Sequence, residues 1–319
     1  MAALYLTEQD VEQLLDLPTA IEVVQEAFRR LSVGDAENVP RVRAHSPGIV
    51  LHTMSAAATY LGLVGWKSYT TTRMGAKFLI GLYDGTSGAL IALIEADKLG
   101  QLRTSATTGV AIQAMAIHEA TEVGLFGTGW QAEGQLAAAA TVRTLKTAYV
   151  YSRHDEAREA FAQKMTERLN IDVRPVDRPQ EACEDLPIVI TATTSREPVF
   201  SGNDIAEGTL VCAVGSNWQN RAEIDADVIR RADNIVCDSV KACRGEAGDF
   251  VDAIEKGIFD WGRAVDLADV ITGHAVGRNT QESIALFKSV GLAIEDIALG
   301  AKLLELAREK NVGVELPIG

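Results

Sequence analysis

The 319-residue sequence predicts an α/β protein in which a doubly wound parallel sheet follows a β-rich first part. Three observations predict it. Val123-Gly124-Leu125-Phe126 reads as a buried strand, and Gly127-Thr128-Gly129-Trp130-Gln131-Ala132 follows as a G-x-G-x-x-A turn. An alanine-rich helix over 133–143 and a second strand over 147–151 complete a βαβ spacing. Beyond residue 121, strand-like runs at 122–126, 147–151, 171–175, 187–191, 209–214 and 234–237 alternate with helical patterns, as a parallel sheet requires.

Each small residue of the turn has a physical reason. Gly127 permits the sharp strand-to-helix turn, Gly129 lets backbone approach a pyrophosphate, and Ala132 keeps the helix close to the sheet. The helix N-terminus then offers unpaired N–H groups to phosphates. A tight turn without a ligand is the alternative reading of those letters alone. Upstream, Leu4–Leu6 reads as a short strand, and Thr7 with Asp10 forms a capping-box pattern. Pro18 suits the first turn of a helix through Ile21, Val24, Ala27 and Phe28. Short β-rich runs fill 42–95, with a hairpin signal at Asp84-Gly85-Thr86-Ser87-Gly88, and a small-residue helix covers 96–117. Residues 282–310 form a long apolar-periodic stretch broken near Gly291.

Hydrophobic residues make up 47% of the chain and charged residues 23%, which describes a soluble globular protein of two ordinary domains. With 30 Lys and Arg against 44 Asp and Glu, the net charge of −14 argues against a nucleic-acid partner. No apolar run reaches the ~18 residues of a membrane span. The start, MAALYLTEQD, lacks a secretory pattern. The four cysteines show no C-x-x-C spacing, and Cys212 and Cys237 in apolar strands read as buried free thiols. The histidines show no metal-ligating spacing, so no metal site is expected. A reducing cytoplasm fits this chemistry.

Four features carry functional chemistry. Tyr151-Ser152-Arg153-His154 ends the second strand, where NAD-binding folds usually place a carboxylate for the ribose hydroxyls. Ser152 followed by Arg153 would instead welcome a 2′-phosphate, so NADPH is favoured over NADH; the alternative is an Arg153 that caps the strand and faces solvent. Arg103, in Leu102-Arg103-Thr104, lies among small residues, either as a site residue or as an ordinary surface arginine. Lys67, in Gly65-Trp66-Lys67-Ser68-Tyr69, sits in a strand where an inward lysine implies a charge partner or a catalytic role and an outward one implies nothing. Arg41 and Arg43 share one side of an alternating segment near His52, and could bind a carboxylate or pair on the surface.

Together these stretches resemble the ornithine cyclodeaminase/μ-crystallin family over essentially the whole chain. The matching segments are PRVR (40–43), GWKSY (65–69), LGQLRTSATTGVA (99–111), GLFGTGWQAEGQL (124–136), ITATTSREPVF (190–200), VCAVGSNWQNRAEID (211–225), GEAGD (245–249) and ESIALFKSVGLAIEDIA (282–298). The resemblance implies a Rossmann domain, 119–291, inserted in a discontinuous α/β domain, 1–118 plus 292–319, that binds substrate and forms a homodimer. It implies carboxylate binding by Arg41, an active-site Lys67, and Arg103 and Thr104 beside substrate or cofactor. It places cofactor contacts on Gly127, Gly129, Trp130, Gln131, Ser152, Arg153, Thr193, Val214 and Ser289.

Two departures separate family members. Cyclodeaminases resembling this chain have an Asp where Asn217 stands, and an amide cannot serve as a base. They also have a Glu where His52 stands; a neighbouring acid, Asp225 or Asp238, is the alternative source of the missing carboxylate. The resulting expectation is an NADPH-dependent ketimine reductase of small 2-imino acids, with Arg41, Lys67 and Arg103 meeting beside the nicotinamide, His52 near the substrate and Asn217 in the catalytic loop. An alanine-type dehydrogenase, a cyclodeaminase and a non-catalytic NADPH-dependent binding protein remain as alternatives.

Overall fold

In a computed structural model that describes residues 2–318, the Thr7 hydroxyl accepts from Asp10 N while Asp10 accepts from Thr7 N, closing the capping box. It separates a short strand, β1 (Leu4–Leu6), from helix α1 (Glu8–Leu14). Asp16 caps α2 (Leu17–Ser32), with Pro18 in its first turn and Ile21, Val24 and Phe28 on its buried stripe. Five strands follow: β2 (Ala36–Ser46), β3 (Ile49–Ala58), β4 (Leu63–Thr72), β5 (Gly75–Asp84) and β6 (Leu90–Glu95). The β5–β6 turn is held by Asp84 Oδ1, which accepts from Ser87 N at 2.7 Å. Helix α3 (Asp97–Met115) comes next.

The parallel sheet then begins with β7 (Glu122–Phe126), α4 (Trp130–Val142), β8 (Thr147–Tyr151), α5 (Asp155–Leu169) and β9 (Asp172–Pro175). It continues through β10 (Ile188–Thr191), β11 (Leu210–Ala213), α6 (Ala226–Arg231), β12 (Asn234–Cys237), α7 (Val240–Glu246) and α8 (Val251–Glu255). β13 (Ala264–Asp266), α9 (Leu267–Thr272) and β14 (Ala285–Lys288) complete it. The chain ends in α10 (Ala293–Lys310) and β15 (Val314–Glu315). No helix among the described residues is long and apolar enough to cross a membrane. All four cysteines are buried and free.

Two units are distinguished: Met1–Ala106 with Gly291–Gly319, and Thr107–Val290. The first junction therefore falls inside α3, upstream of residue 118, because that helix is continuous. The first unit holds a seven-stranded sheet, ordered β15-β1-β6-β5-β4-β3-β2, with β2 to β6 antiparallel. α10 packs on it against β2, β3, β4 and β5. The second unit is an eight-stranded sheet, ordered β13-β12-β14-β11-β10-β7-β8-β9, parallel throughout. The expected strands recur within a residue or so of their bounds. Sequence periodicity missed β13 and β14, and merged β14 with α10 into one apolar stretch. Gly291, at φ 83°, separates them.

Candidate active site

In the first unit, the alternation of β4 decides which side chains meet. Gly65, Lys67 and Tyr69 are buried on one face, while Val64 is exposed on the other. Gly65 has no room for a side chain, since a Cβ there would stand 2.5 Å from Ile297 Cδ1 and 2.7 Å from Gly81 O. The missing side chain lets α10 lie close on β4, and its first turn brings Asp296 onto the lysine and Glu295 onto Arg103.

Lys67 Nζ donates to Asp296 Oδ1 at 2.7 Å. Arg103 Nε stands 3.2 Å from the same oxygen, and Arg103 Nη1 donates to Glu295 Oε2 at 2.9 Å. Arg41 Nη2 donates to Gly291 O at 3.4 Å. A Cβ on Gly291 would run into the Arg103 guanidinium, so this glycine is required by both its φ and its neighbour. Lys67 is 1% exposed, Glu295 and Asp296 0%, and Arg41 and Arg103 below a tenth. Three cations and two carboxylates are thus buried in this unit. Buried ion pairs are weak contributors to stability, because desolvation offsets their attraction. Cations gathered there suit an anionic ligand better than they suit folding.

Burial is the main cause that brings the Lys67 ammonium down to about 8, and the nearby Arg103 adds to it while Asp296 opposes. Burial also acts against the Arg103 charge, but Asp296 and Glu295 outweigh it and hold the guanidinium protonated. His52 lies on the same sheet face, directly across from Tyr69. Burial, then Arg43 and Arg41, push its imidazole down to about 4, so it is neutral at neutral pH. Its ring stacks on Tyr69 at 4.2 Å and 6°, and Tyr69 stacks on Phe78 at 4.7 Å. Arg41 stands 6.0 Å over Tyr69 and Lys67 5.2 Å over Phe78, so the cations border a neutral aromatic wall. Thr104, in α3, donates its hydroxyl to Gly100 O at 2.7 Å.

In the second unit, β7 and β10 are neighbours from which the chain runs outward in opposite directions, a topological switch point. Ligands of open parallel sheets bind at the carboxyl ends of the strands there. Gly127, following β7, has φ 109° and would place a Cβ 2.5 Å from Ala192 O, beyond β10. Gly129 differs: its φ is −89°, and nothing in the protein lies within 4 Å of a Cβ built on it. It also forms the N-cap of α4 without a side-chain cap, at the helix end where phosphates bind in such folds. The protein gives no steric reason for glycine at 129, whereas a pyrophosphate would. Gln131 follows in the same first turn, and Trp130 is about half exposed.

After β8, Ser152 is half-buried and Arg153 exposed. Arg158 Nη1 donates to Ser152 O at 3.0 Å and to Asp155 Oδ1 at 2.8 Å, and its other nitrogen reaches Asp177. Asp155 and Asp177 are thus engaged by Arg158. Thr193 follows β10, Val214 and Asn217 follow β11, and Ser289 follows β14; each is at a strand carboxyl end. Ser289 Oγ donates to Asp238 Oδ2 at 2.8 Å. Asp225 caps α6 through Val228 N at 3.0 Å, and Asp238 also accepts from Val290 N at 2.7 Å.

Sequence reasoning missed seven buried charged residues among those described: Glu295 and Asp296 in the first unit, and Arg158, Glu223, Glu246, Asp249 and Lys288 in the second. The signal for Lys288, Glu295 and Asp296 was a charge inside an apolar run, as in ALFKSV and LAIEDIAL. Such residues are almost never buried unless paired.

A family model, the ornithine cyclodeaminase/mu-crystallin family, matches residues 1–311. The chain is 34% identical over 268 residues to a Delta(1)-pyrroline-2-carboxylate reductase of Bacillus cereus, covering 82% of each. Its structure is similar to that of the Thermococcus litoralis Delta(1)-pyrroline-2-carboxylate reductase in complex with NADH and L-proline, at a TM-score of 0.94 and 32% identity, covering 98% of this chain and 100% of the other. An archaeal alanine dehydrogenase dimer with bound NAD matches at a TM-score of 0.93 and 28% identity, with 99% of each chain covered.

Proposed function

The chain belongs to the ornithine cyclodeaminase/mu-crystallin family, and we propose that within it this protein reduces small 2-imino acids to L-amino acids with NADPH. Its substrates would be cyclic ketimines such as 1-pyrroline-2-carboxylate or 1-piperideine-2-carboxylate. The observation that carries the reading is the buried centre of Arg41, Lys67 and Arg103 with Glu295 and Asp296.

A substrate carboxylate is bound by Arg41 with help from Arg103 through charge-assisted hydrogen bonds. Lys67 holds a proton at Nζ, on a hydrogen bond to Asp296, for the nitrogen of the C=N bond. The dinucleotide, when bound, supplies the hydride for the imine carbon. Hydride at carbon and proton at nitrogen together convert C=N to the amine. The wall of His52, Tyr69 and Phe78 offers apolar faces for ring methylenes and no carboxylate for a distal ammonium. With Asn217 in place of an acid, this speaks against a dibasic amino acid and against cyclodeamination. A protein that only binds ligands has no need of a lysine poised to hand over a proton.

Oxidative deamination of an alanine-type amino acid is the second reading, favoured by the likeness to the archaeal dehydrogenase. Purified protein given NADPH with each cyclic imine, beside pyruvate plus ammonia, separates the two. The proposal expects fast cofactor oxidation with the imines and slow oxidation with the pair; the reverse ranking would favour the dehydrogenase.

NADPH is preferred here on the pairing of Ser152 and Arg153, with Asp155 and Asp177 drawn onto Arg158. Binding calorimetry should show NADPH tighter than NADH by about tenfold, the worth of one charge-assisted contact of ~1.4 kcal/mol. Tighter NADH would refute the argument. We also read a homodimer. The sheet face opposite Lys67 exposes Val42, Ile49, Leu51, Val64 and Leu79, an apolar set on four adjacent strands that suits a second copy of the chain.

A further inference from the structure

Glu223 is fully buried in the loop beyond Asn217 and has no part in the chemistry above. Its Oε1 accepts from Thr193 N at 2.6 Å and from Thr193 Oγ1 at 2.8 Å. Its Oε2 accepts from Gly215 N at 2.6 Å and from Thr191 Oγ1 at 2.9 Å. One carboxylate therefore ties the segment leaving β10 to the segment leaving β11. Gly215 is packed so tightly that a Cβ would overlap the Glu223 carboxylate and the Thr193 backbone.

The carboxylate is itself fixed from behind. Asp249 Oδ1 accepts from Glu223 N at 2.7 Å, and Asp249 Oδ2 pairs with Lys288 Nζ at 2.7 Å. Lys288 also donates to Ser216 O at 2.9 Å, so the network returns to the β11 segment. Lys288 is 0% exposed and Asp249 1%. Burial raises the Glu223 carboxyl while Lys288 opposes; burial acts against the Lys288 charge, but Asp249 and Glu223 prevail and keep it protonated.

A dinucleotide laid across the switch point puts its adenosine half over β7 and β8, and its nicotinamide half over the strands on the other side, β10 and β11. We infer that Glu223 is a positioning residue for the nicotinamide half of the cofactor, setting the Thr193 and Val214–Asn217 segments through its four accepted hydrogen bonds. The inference rests on the dinucleotide reading above. All four partners are donors, and each carboxylate oxygen faces one backbone N–H. A glutamine at 223 must turn its NH2 toward Thr193 N or Gly215 N whichever way it flips, and neither donor can become an acceptor. The fault falls on these two segments and leaves the Ser152 loop alone.

The test compares NADPH with 2′,5′-ADP, which carries only the adenosine half, by calorimetry on the full-length protein. Glu223→Gln should weaken NADPH about tenfold or more while 2′,5′-ADP changes less than about twofold, as loss of buried hydrogen bonds on one half predicts. Glu223→Asp, which keeps acceptors only, should recover part of the loss. Equal weakening of both ligands, or unchanged NADPH affinity, would overturn the inference and leave the cofactor reading standing. A wild-type protein that binds neither ligand would sink the cofactor reading and this inference with it. Should Glu223→Gln not fold, Glu223→Asp and Thr191→Val must show the same split between the two ligands, and an even loss in them overturns the inference.

Discussion

Lys67→Met is expected to lower turnover of a cyclic imine by roughly 10²- to 10⁴-fold, the usual contribution of a positioned proton donor. NADPH affinity should stay within about twofold, since the glycine turn over 127–132 that would receive the pyrophosphate does not include Lys67. Asp296 keeps Arg103 Nε at 3.2 Å, so the variant avoids the full penalty of about 3–5 kcal/mol for an isolated buried charge. The same lysine sets the pH profile. With its ammonium brought down to about 8, first by burial and then by Arg103, the proton-holding form dominates below that pH and is lost above it. kcat/KM, which reports the free enzyme, should therefore be level below about pH 8 and fall above it. An anionic substrate favours the ammonium, so the corresponding limb in kcat should lie at higher pH. Both limbs should vanish in Lys67→Met. Undiminished turnover in that variant would remove Lys67 from the mechanism.

Gly127→Ala and Gly129→Ala should fail in opposite ways. At Gly127 the backbone stands at φ 109° and a Cβ would lie 2.5 Å from Ala192 O. Strain and overlap together should cost at least about 3 kcal/mol of stability, read as an early thermal transition. At Gly129 the fold has room, and the melting temperature should hold or rise slightly. Dinucleotide affinity should nonetheless fall, because overlap costing about 1–3 kcal/mol corresponds to roughly 5- to 150-fold. A Gly129→Ala protein that binds NADPH as well as the parent would contradict the pyrophosphate placement.

How much of this was legible beforehand depends on the range of the interactions. The Gly127 turn, the strands around it and the Thr7 capping box are local, and a few adjacent residues specify each. Lys67 was suspect because a lysine flanked by aromatics in a strand is unusual. Its partner was not legible, since Asp296 stands 229 residues away and sits in a stretch whose apolar period drew attention instead. Glu295, with Arg103, was missed for the same reason. Lys288 was missed with its strand: β14 is only four residues long, and no periodicity separates a short buried strand from a following helix. Asn217 and His52 were legible as departures, but the neutrality of His52 depends on burial and on Arg43 and Arg41 across the sheet.

The central claim, reduction of a 2-imino acid at its C=N carbon, is tested most directly with NADPH deuterated at the transferring position of the nicotinamide. Purified protein is given this cofactor and 1-pyrroline-2-carboxylate, and the product is analysed by mass spectrometry and chiral chromatography. The account predicts L-proline carrying one deuterium at Cα, the atom that was the imine carbon. Absence of an amino-acid product from every cyclic imine offered, with NADPH still bound, or a product without label at Cα, would contradict it.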